Sequence, residues 1–540
     1  MENQKRPMRG PMGHRGMRGG EKAKDFKGTI RKLFKYVGSS KYAILIFAIF
    51  AIGSTMFNVI APKTLGKATN ELQIGFMSKL MGTGQINFDN IGHILLLVLV
   101  IYALSAVFNL VQGFIMTGIT QKLCYRMRKE ISEKINRMPM KYFESRTNGE
   151  VLSVITNDID TLGNGLNQSL TTLVTSITTI IGVLVMMLTI SPVMTLIAVL
   201  IVPLSMVLIS FVMKKSQKYF RVQQEYIGHI NGQVEEVYGG HNVVKAFNKE
   251  KDVIKTFNDT NNVLYVSAWK SQFLSGMMMP VMQFVGNLGY VAVVISGAFL
   301  AGKGVIKIGD IQAFIQYVKN FTQPIQQIAQ VSNMMQSMAA AAERVFALLE
   351  EEEEDRFAVN AVHPDHINGE VDFDHVKFGY NDDKIIIHDF TAHVAPGKQI
   401  AIVGPTGAGK TTMVKLLMRF YDVNAGEIRL DGHCIKDYDR SSLREAFGMV
   451  LQDTWLFKGT IMENIRYGRL DATDEEVIAA AKSAHAHHFI ETMPDGYNME
   501  INEDATNISQ GQKQLLTIAR AILADNPVLI LDEATSSVYK

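Results

Sequence analysis

The chain has 540 residues, of which 47% are apolar and only 20% charged, and its formal net charge is +2. This length exceeds what one soluble core accommodates, so at least two domains are expected. So small a net charge does not indicate a nucleic-acid binder. The two cysteines, Cys124 and Cys434, are expected to be packing thiols rather than a disulfide or a metal site.

The N-terminal segment, residues 1–28, is basic and rich in Gly, Met and Arg. It lacks the apolar core of a signal peptide, so we expect a disordered basic tail.

Apolar runs dominate residues 29–342, and each is long enough to cross a bilayer core of about 30 Å as a helix. We predict an all-α membrane domain of six spans, in which Ser191-Pro192 forms a tight hairpin between the third and fourth. The predicted spans cover about 41–62, 91–116, 170–190, 193–213, 273–300 and 311–335.

Lysines and arginines indicate the orientation of this membrane domain. They concentrate in the first forty-one residues and in the long connections 117–167 and 214–272. Positive loops stay on the cytoplasmic side. We therefore expect a cytoplasmic N-terminus, cytoplasmic helical extensions of the spans, and a cytoplasmic domain after the sixth span.

Glutamines recur at helical spacing in the sixth span, at Gln312, Gln316, Gln323, Gln327 and Gln330. Amides that face lipid would be unsatisfied, so this helix face should look into protein or a wet cavity. One hypothesis is a substrate pathway lined by these amides. The alternative, hydrogen bonding between helices, is equally compatible with the pattern.

A change of pattern marks the second domain. Residues 343–368 include the acidic run Glu350–Asp355, which we interpret as a solvated linker. From residue 369, short β-type runs at Val371–Phe373 and Gln399–Val403 alternate with helical runs. This alternation predicts an α/β nucleotide-binding core.

A P-loop follows the second of these runs and leads into the helical run Met413–Phe420. Its glycines allow backbone N–H groups to surround phosphates, Lys410 reaches the β- and γ-phosphates, and Thr411 can ligate Mg²⁺. The candidate ATP-binding residues of the loop are Gly404, Pro405, Thr406, Gly407, Ala408, Gly409, Lys410, Thr411 and Thr412.

A second nucleotide motif lies near the C-terminal end of the sequence. Val528–Leu531 reads as a buried strand and is followed by Asp532 and Glu533. This pattern indicates a Walker B strand, in which Asp532 holds Mg²⁺ through water and Glu533 polarises the attacking water.

These motifs together resemble the ATP-binding cassette (ABC) superfamily, and specifically exporter half-transporters with an N-terminal membrane domain. The resemblance implies that Gln452 is the Q-loop glutamine, which meets Mg²⁺ and the attacking water. It also implies that Tyr380 stacks on adenine, although a core or surface tyrosine would fit the sequence equally well. Residues 143–160 and 236–250 resemble the two intracellular coupling regions, and Glu503 resembles the glutamate before the signature.

The signature motif of the family has a counterpart here in Ser509, Gln510, Gly511 and Gln512. The resemblance implies that these residues would cap the ATP held by the opposite subunit. The family has two glycines where this chain has Gln510-Gly511. Upstream of these, this chain has Ala505 at a position where the family usually has glycine. Such a signature resembles those of heterodimeric exporters with one weakened ATP site. Because Glu533 is intact, this chain would supply the hydrolysing Walker motifs and lend its signature to the weaker site.

The family continues with an aspartate after Val538, whereas Tyr539 and Lys540 follow here. The family's D-loop aspartate, final strands and switch histidine have no counterpart in the sequence. We therefore expect an ATPase domain over residues 369–540 that is incomplete, as a truncated product or a fragment.

The sequence thus predicts a plasma-membrane subunit of an ATP-driven exporter of amphipathic, drug-like or lipidic substrates. It would use ATP and Mg²⁺, contact membrane lipid, and pair with a second half-transporter, with a heterodimer favoured over a homodimer. The alternative is a membrane protein that binds nucleotide without hydrolysing it.

Overall fold

The computed structural model describes residues 23–532 except 359–360, 365, 382–383, 406, 453 and 503–504. It divides into two compact units. Among the described residues, the first comprises those up to 131 and 152–349, and the second comprises 132–151 and those from 350 onward. Most of the predicted basic tail lies outside the described residues, although a helix already begins at Phe26.

The first unit is helical in the part that the structure describes. Helix α3 also reaches the second unit, to which the short helices α4 and α5 largely belong. The helices are α1 (Phe26–Val37), α2 (Lys41–Leu80), α3 (Phe88–Ile135), α4 (Met140–Glu144), α5 (Asn148–Ser153), α6 (Ile159–Ile190), α7 (Pro192–Gly239), α8 (His241–Ala246), α9 (Glu250–Gly276), α10 (Met278–Gly302) and α11 (Ile308–Leu349).

Four helical stretches of the described chain are long and apolar enough to cross a membrane. They are Lys41–Leu80, Phe88–Ile135, Asn148–Ile190 and Glu250–Gly302. The predicted spans at 193–213 and 311–335 lie within α7 and α11, which are helical as expected. The number of six spans stays a prediction.

The predicted hairpin between α6 and α7 is confirmed. Ser191 is extended, and its hydroxyl accepts a hydrogen bond of 3.4 Å from the Met194 N–H. Pro192 occupies the first helical position, where its lack of an N–H costs nothing. A single capping residue therefore reverses the chain.

Helices α2 and α11 approach so closely that one contact requires glycine. A Cβ on Gly309 would lie 1.9 Å from the carbonyl oxygen of Gly66. The Gly309 N–H donates to Asn70 Oδ1 at 2.7 Å, and the buried Tyr317 hydroxyl donates to the Val59 carbonyl at 2.9 Å. Each polar group buried at this crossing therefore has a partner, as an apolar environment demands.

The second unit carries the strands. Its elements after α5 are β1 (Val371–Phe378), β2 (Ile387–Val394), α12 (Lys410–Leu417), β3 (Ala425–Leu430), β4 (His433–Cys434), α13 (Arg440–Glu445), β5 (Phe447–Val450), β6 (Gly459–Thr460), α14 (Ile461–Arg466), α15 (Asp474–Ser483), α16 (His487–Glu491), β7 (Glu500–Ile501), α17 (Gln510–Ala524) and β8 (Val528–Leu531). Strands β2-β1-β3-β4 form an antiparallel sheet, β5 and β8 pair in parallel, and β6 pairs with β7. This confirms an α/β domain.

The predicted strand at Gln399–Val403 is wrong for the described structure, which has no strand there. Its apolar side chains are exposed, with Ile400 at 62% and Val403 at 87%. A strand forms only where a neighbour satisfies its backbone, and among the described strands β5 and β8 pair only with each other.

Two apolar clusters organise the second unit. The core cluster joins the β1–β3 sheet to α12, α13 and β5, with Val528 and Ile530 of β8 packed against it. The helical cluster joins α14, α15, α16 and α17. The two nucleotide motifs of the sequence, the P-loop and the Walker B strand, therefore adjoin one cluster, and the signature helix belongs to the other.

The acidic run Glu350–Asp355 is not a solvated linker, because two of its carboxylates, Glu353 and Glu354, pair with cations inside the second unit. Glu353 bonds to Lys134 at 3.2 Å and to Arg137 at 2.9 Å. The Lys134 side chain is only 8% exposed. The run therefore fastens residues 132–151 to the nucleotide-binding core.

Glu354 extends this contact into the core itself. Its side chain is 10% exposed and lies 3.4 Å from Arg440 Nη1 and 2.5 Å from Arg444 Nη2. Arg440 also pairs with Asp422 at 2.8 Å, and Arg419 reaches the same carboxylate at 3.1 Å. Because Glu354, Arg440 and Arg419 are largely buried, each of these charges depends on its partners for compensation.

Candidate functional site

The P-loop ends at the N-terminus of α12. Gly407 and Gly409 have φ of +85° and +95°, a region that side chains rarely adopt. The Lys410 ammonium donates to the carbonyls of Gly404 at 2.9 Å and Pro405 at 3.3 Å, so it lies across the loop. Thr406 lies outside the described residues.

The start of α12 is suited to bind an anion. Its N-cap is Gly409, and in the described part of the chain no side chain caps the helix. The first N–H groups of a helix carry the positive end of its dipole. With the Lys410 ammonium beside them, these groups can bind a polyphosphate.

A strand is confirmed at Val528–Leu531, where the Walker B motif is predicted. Strand β8 runs parallel to β5, with Val450 opposite Leu531, and the Asp532 N–H donates to the Val450 carbonyl at 3.0 Å. The strand is only partly buried, since Leu529 and Leu531 are 53% and 57% exposed. The prediction of a strand is therefore right, while the prediction that it is buried is wrong.

Gln452 and Asp532 follow two neighbouring parallel strands, so both leave the same edge of the sheet. Their oxygens and the Thr411 hydroxyl are the hard donors that Mg²⁺ prefers. These three residues thus fit an Mg²⁺ site by donor chemistry. Glu533, the candidate base, lies outside the described residues.

Tyr380 is part of an aromatic cluster rather than an isolated surface tyrosine. Its hydroxyl shares a hydrogen bond of 3.2 Å with Thr412, the last of the candidate ATP-binding residues of the loop. Its ring meets Tyr421 edge-on at 4.9 Å and Phe378 at 5.1 Å. The structure therefore brings the candidate adenine platform to the P-loop helix.

Sequence reasoning missed two charged residues at this aromatic cluster, Lys415 and Glu144. The Lys415 ammonium lies 5.7 Å from the centre of the Tyr380 ring. Glu144, at the end of α4, accepts hydrogen bonds from Lys415 at 2.7 Å and from the Tyr421 hydroxyl at 2.6 Å. Burial raises the pKa of Glu144, but these two hydrogen bonds outweigh it and hold the pKa below its ordinary value. The sequence carried no signal that pairs residue 144 with residues 415 and 421.

The signature segment caps helix α17. The Ser509 hydroxyl accepts from the Gln512 N–H at 3.3 Å, and Gln512 Oε1 accepts from the Ser509 N–H at 2.8 Å. This reciprocal pair is a capping box. Gln510 donates to Thr454 Oγ1 at 3.0 Å, and Gly511 follows it in the first turn.

Ala505 has a φ of +49°, in the left-handed region that favours glycine. This backbone conformation gives a physical reason why the family usually has glycine at this position.

The glutamines of α11 divide into two groups. Gln312 accepts a hydrogen bond from Thr69 of α2, and Gln327 accepts one of 3.1 Å from Ser176 of α6. Gln316 bonds within its own helix, to Asn320 at 3.3 Å, and Gln323 is exposed. Two amides thus act between helices, while Gln316 and Gln323 remain the candidates for a pathway.

Comparison with known proteins also divides the chain into an N-terminal membrane region and a C-terminal ATP-binding region. Residues 44–325 match the family model of the ABC transporter transmembrane region, and residues 387–536 match the ABC transporter model. The membrane model alone covers more than half of the chain.

Several relatives align over nearly the whole chain. A fatty acid ABC transporter ATP-binding/permease protein of Mycobacterium bovis is 40% identical over 96% of this chain and 86% of its own length. An uncharacterised ABC transporter ATP-binding protein of Bacillus subtilis is also 40% identical, over 96% and 84%. An ATP-dependent lipid A-core flippase of Syntrophus aciditrophicus is 31% identical over 84% and 75%. The chain belongs to the ABC transporters, as an exporter half-transporter that joins a helical membrane domain to an ATP-binding domain and couples transport to ATP hydrolysis.

Proposed function

We propose that this chain is an exporter subunit that binds Mg-ATP through residues 404–412, Tyr380, Gln452 and Asp532, and uses Glu533 to activate water. The observation that carries the proposal is the uncapped N-terminus of α12 with Lys410 lying across its loop. A triphosphate there would satisfy the first N–H groups of the helix and the lysine together. Binding and hydrolysis would drive the membrane helices between inward- and outward-facing states.

The substrate we propose is amphipathic and lipid-like. The relatives whose names print a substrate include a fatty acid transporter and a lipid A-core flippase. Gln316 and Gln323 support this proposal, because amides interspersed with apolar residues on one helix suit a molecule with a polar head and a hydrocarbon tail.

A second half-transporter completes the proposed assembly. The tip formed by the end of α7, α8 and the start of α9 exposes large apolar side chains, with Tyr238 at 85% and Phe247 at 71%. Such a patch is typical of an interaction surface. We propose that it packs on the ATP-binding domain of the partner subunit, as the resemblance of 236–250 to a coupling region implies.

The partner we favour is a different chain. Gln510 supports this choice, because its side chain stands at the first position of α17 and is bonded to Thr454. A side chain there narrows the approach of phosphate to the helix N-terminus compared with glycine. The signature of this chain would then serve the weaker of two ATP sites.

We place the subunit in the plasma membrane with its ATP-binding domain in the cytoplasm. The lysines and arginines of connections 117–167 and 214–272 support this orientation.

The test is Mg-ATP turnover by the 540-residue chain in lipid vesicles, alone and mixed with a candidate partner half, beside Glu533→Gln. We expect turnover that disappears in Glu533→Gln while ATP binding persists. Turnover only in the mixture would support the heterodimer, and full turnover of the chain alone would favour a homodimer.

ATP binding without turnover under every condition would overturn the exporter proposal. It would support the alternative, a membrane protein that binds nucleotide without hydrolysing it.

A further inference from the structure

Glu144 lies outside every nucleotide motif, yet both of its carboxylate oxygens are used at the aromatic cluster around Tyr380. One accepts from Lys415 and the other from Tyr421. Glu144 ends helix α4, in the connection between α3 and α6, and its side chain is about one-third exposed. Two charge-assisted bonds to one carboxylate fix the directions of both donors.

Both donors in turn touch Tyr380. The Tyr421 ring meets the Tyr380 ring at an interplanar angle of 85° with 4.9 Å between their centres. The Lys415 ammonium lies 5.7 Å from the same ring centre, a cation–π distance. Two of the four side chains described around Tyr380, Lys415 and Tyr421, bond to Glu144. The Tyr421 ring is also packed against Phe378 at 5.7 Å.

The Tyr380 ring is partly buried against the core cluster, where Phe378 meets it at 5.1 Å. A tyrosine ring turns about two side-chain bonds, and here the hydroxyl is anchored at one point, Thr412. Edge-on packing by Tyr421 and the cation beside the ring define the plane that it presents. If the Glu144 carboxylate were lost, Lys415 and Tyr421 would each lose the hydrogen bond that fixes its direction, so the plane of the Tyr380 ring would be fixed less closely.

We propose that Glu144 is a positioning residue for Tyr380, which it holds through Lys415 and Tyr421 in the orientation that stacks on the base of the nucleotide. This inference rests on the proposed binding of ATP at residues 404–412. It extends that proposal by placing a residue of the connection between two membrane helices in the recognition of the base. The phosphates are bound separately, by Lys410 and the N-terminus of α12.

The experiment separates base from phosphate recognition. The affinities of ATP and of inorganic tripolyphosphate, which has no base, are measured on the full chain in detergent by competition with a fluorescent ATP analogue. For Glu144→Gln we expect ATP to bind about fivefold more weakly, with tripolyphosphate unchanged. In turnover, the KM for Mg-ATP should rise by a similar factor with kcat nearly constant.

Matched variants exclude a general loss of structure. Glu150→Gln removes an exposed carboxylate from the same connection and should leave both affinities unchanged. Tyr421→Phe keeps the ring and removes only the hydroxyl, so it should show the same selective loss to a smaller degree. Glu144→Gln combined with Tyr380→Ala should bind ATP no more weakly than Tyr380→Ala alone, because both changes remove one interaction.

Each remaining outcome has a defined meaning. Equal weakening of ATP and tripolyphosphate, unchanged ATP affinity, or additive losses in the double variant would each overturn the positioning role and leave the ATP site intact. Failure of the unmodified chain to bind either ligand would instead overturn the proposed function. Equal affinity of the unmodified chain for both ligands would show that no base stacking exists for Glu144 to support.

Discussion

The two apolar clusters of the second unit are stabilised in different ways. In the helical cluster, capping is local, because three helices begin with a reciprocal capping box between residues three apart. The boxes pair Thr460 with Glu463, Thr473 with Glu476, and Ser509 with Gln512. In the core cluster, α12 and α13 have no side-chain cap among the described residues. Distant ion pairs and the Tyr380–Tyr421 contact join its elements instead.

This difference in helix capping determines which helix start is available to bind phosphate. The uncapped start of α12 leaves its N–H groups available for phosphate, whereas the start of α17 is already satisfied by its own serine. The start of α12 in the core cluster can thus bind the phosphates of a nucleotide within one chain. In the proposed assembly, the signature would have to exchange its own capping hydrogen bond for one to the nucleotide of a partner.

The largest effect should come from Lys410. Replacing it with alanine removes the cation that lies across the P-loop, so we expect ATP affinity to fall by about 100-fold or more. Lys398→Ala, at an exposed lysine before the loop, is the control and should bind normally. Binding of a fluorescent ATP analogue measures both. Retained affinity in Lys410→Ala would contradict the P-loop assignment and the contrast between the two helix starts.

The next effect tests whether buried charge stabilises the core cluster. Glu354→Gln leaves Arg444 without a carboxylate and Arg440 with that of Asp422 alone, and we expect a loss of about 2 to 4 kcal/mol in the free energy of unfolding. Glu352→Gln, at an exposed neighbour in the same run, should change stability by less than about 0.5 kcal/mol. Thermal melting of the purified chain in detergent makes the comparison. Equal melting temperatures would mean that the acidic run is the solvated linker that the sequence suggested.

The Ser509 pair of variants separates capping from nucleotide binding. Ser509→Ala removes the cap and should cost about 1 kcal/mol of stability. Ser509→Asp keeps the cap and suits the helix dipole, but it directs a negative charge at incoming phosphate. We expect normal melting and strongly reduced Mg-ATP turnover for Ser509→Asp. Normal turnover in both variants would restrict Ser509 to its structural role.

The same contrast explains which features could be predicted from sequence. The hairpin at Ser191-Pro192, the P-loop helix and the signature helix depend on neighbours within a few residues, so their motifs are visible in the chain. The pairing of Glu354 with Arg440 and that of Glu144 with Tyr421 join residues far apart in sequence. No local pattern encodes such pairs, and a charge run looks the same whether it meets water or arginine.

The strand predicted at Gln399–Val403 failed for a related reason. Its apolar pattern was suitable, but a strand also needs a partner, and the described sheet offers none at that place. The prediction of a strand at Val528–Leu531 was right because β5 lies beside that segment. An apolar run therefore predicts a strand only together with its neighbour.

The smallest effect concerns Ala505, in the helical cluster. Its φ of +49° costs alanine about 1 kcal/mol, so Ala505→Gly should stabilise the fold by about 0.5 kcal/mol after the greater entropy of glycine in the unfolded chain is subtracted. The control is Ala521→Gly inside α17, where regular helical backbone makes the same change destabilising by about 1 kcal/mol. Melting temperatures should therefore move in opposite directions. If both fell, the backbone at Ala505 would not be left-handed, and the helical cluster would be free of the strain that we assign to it.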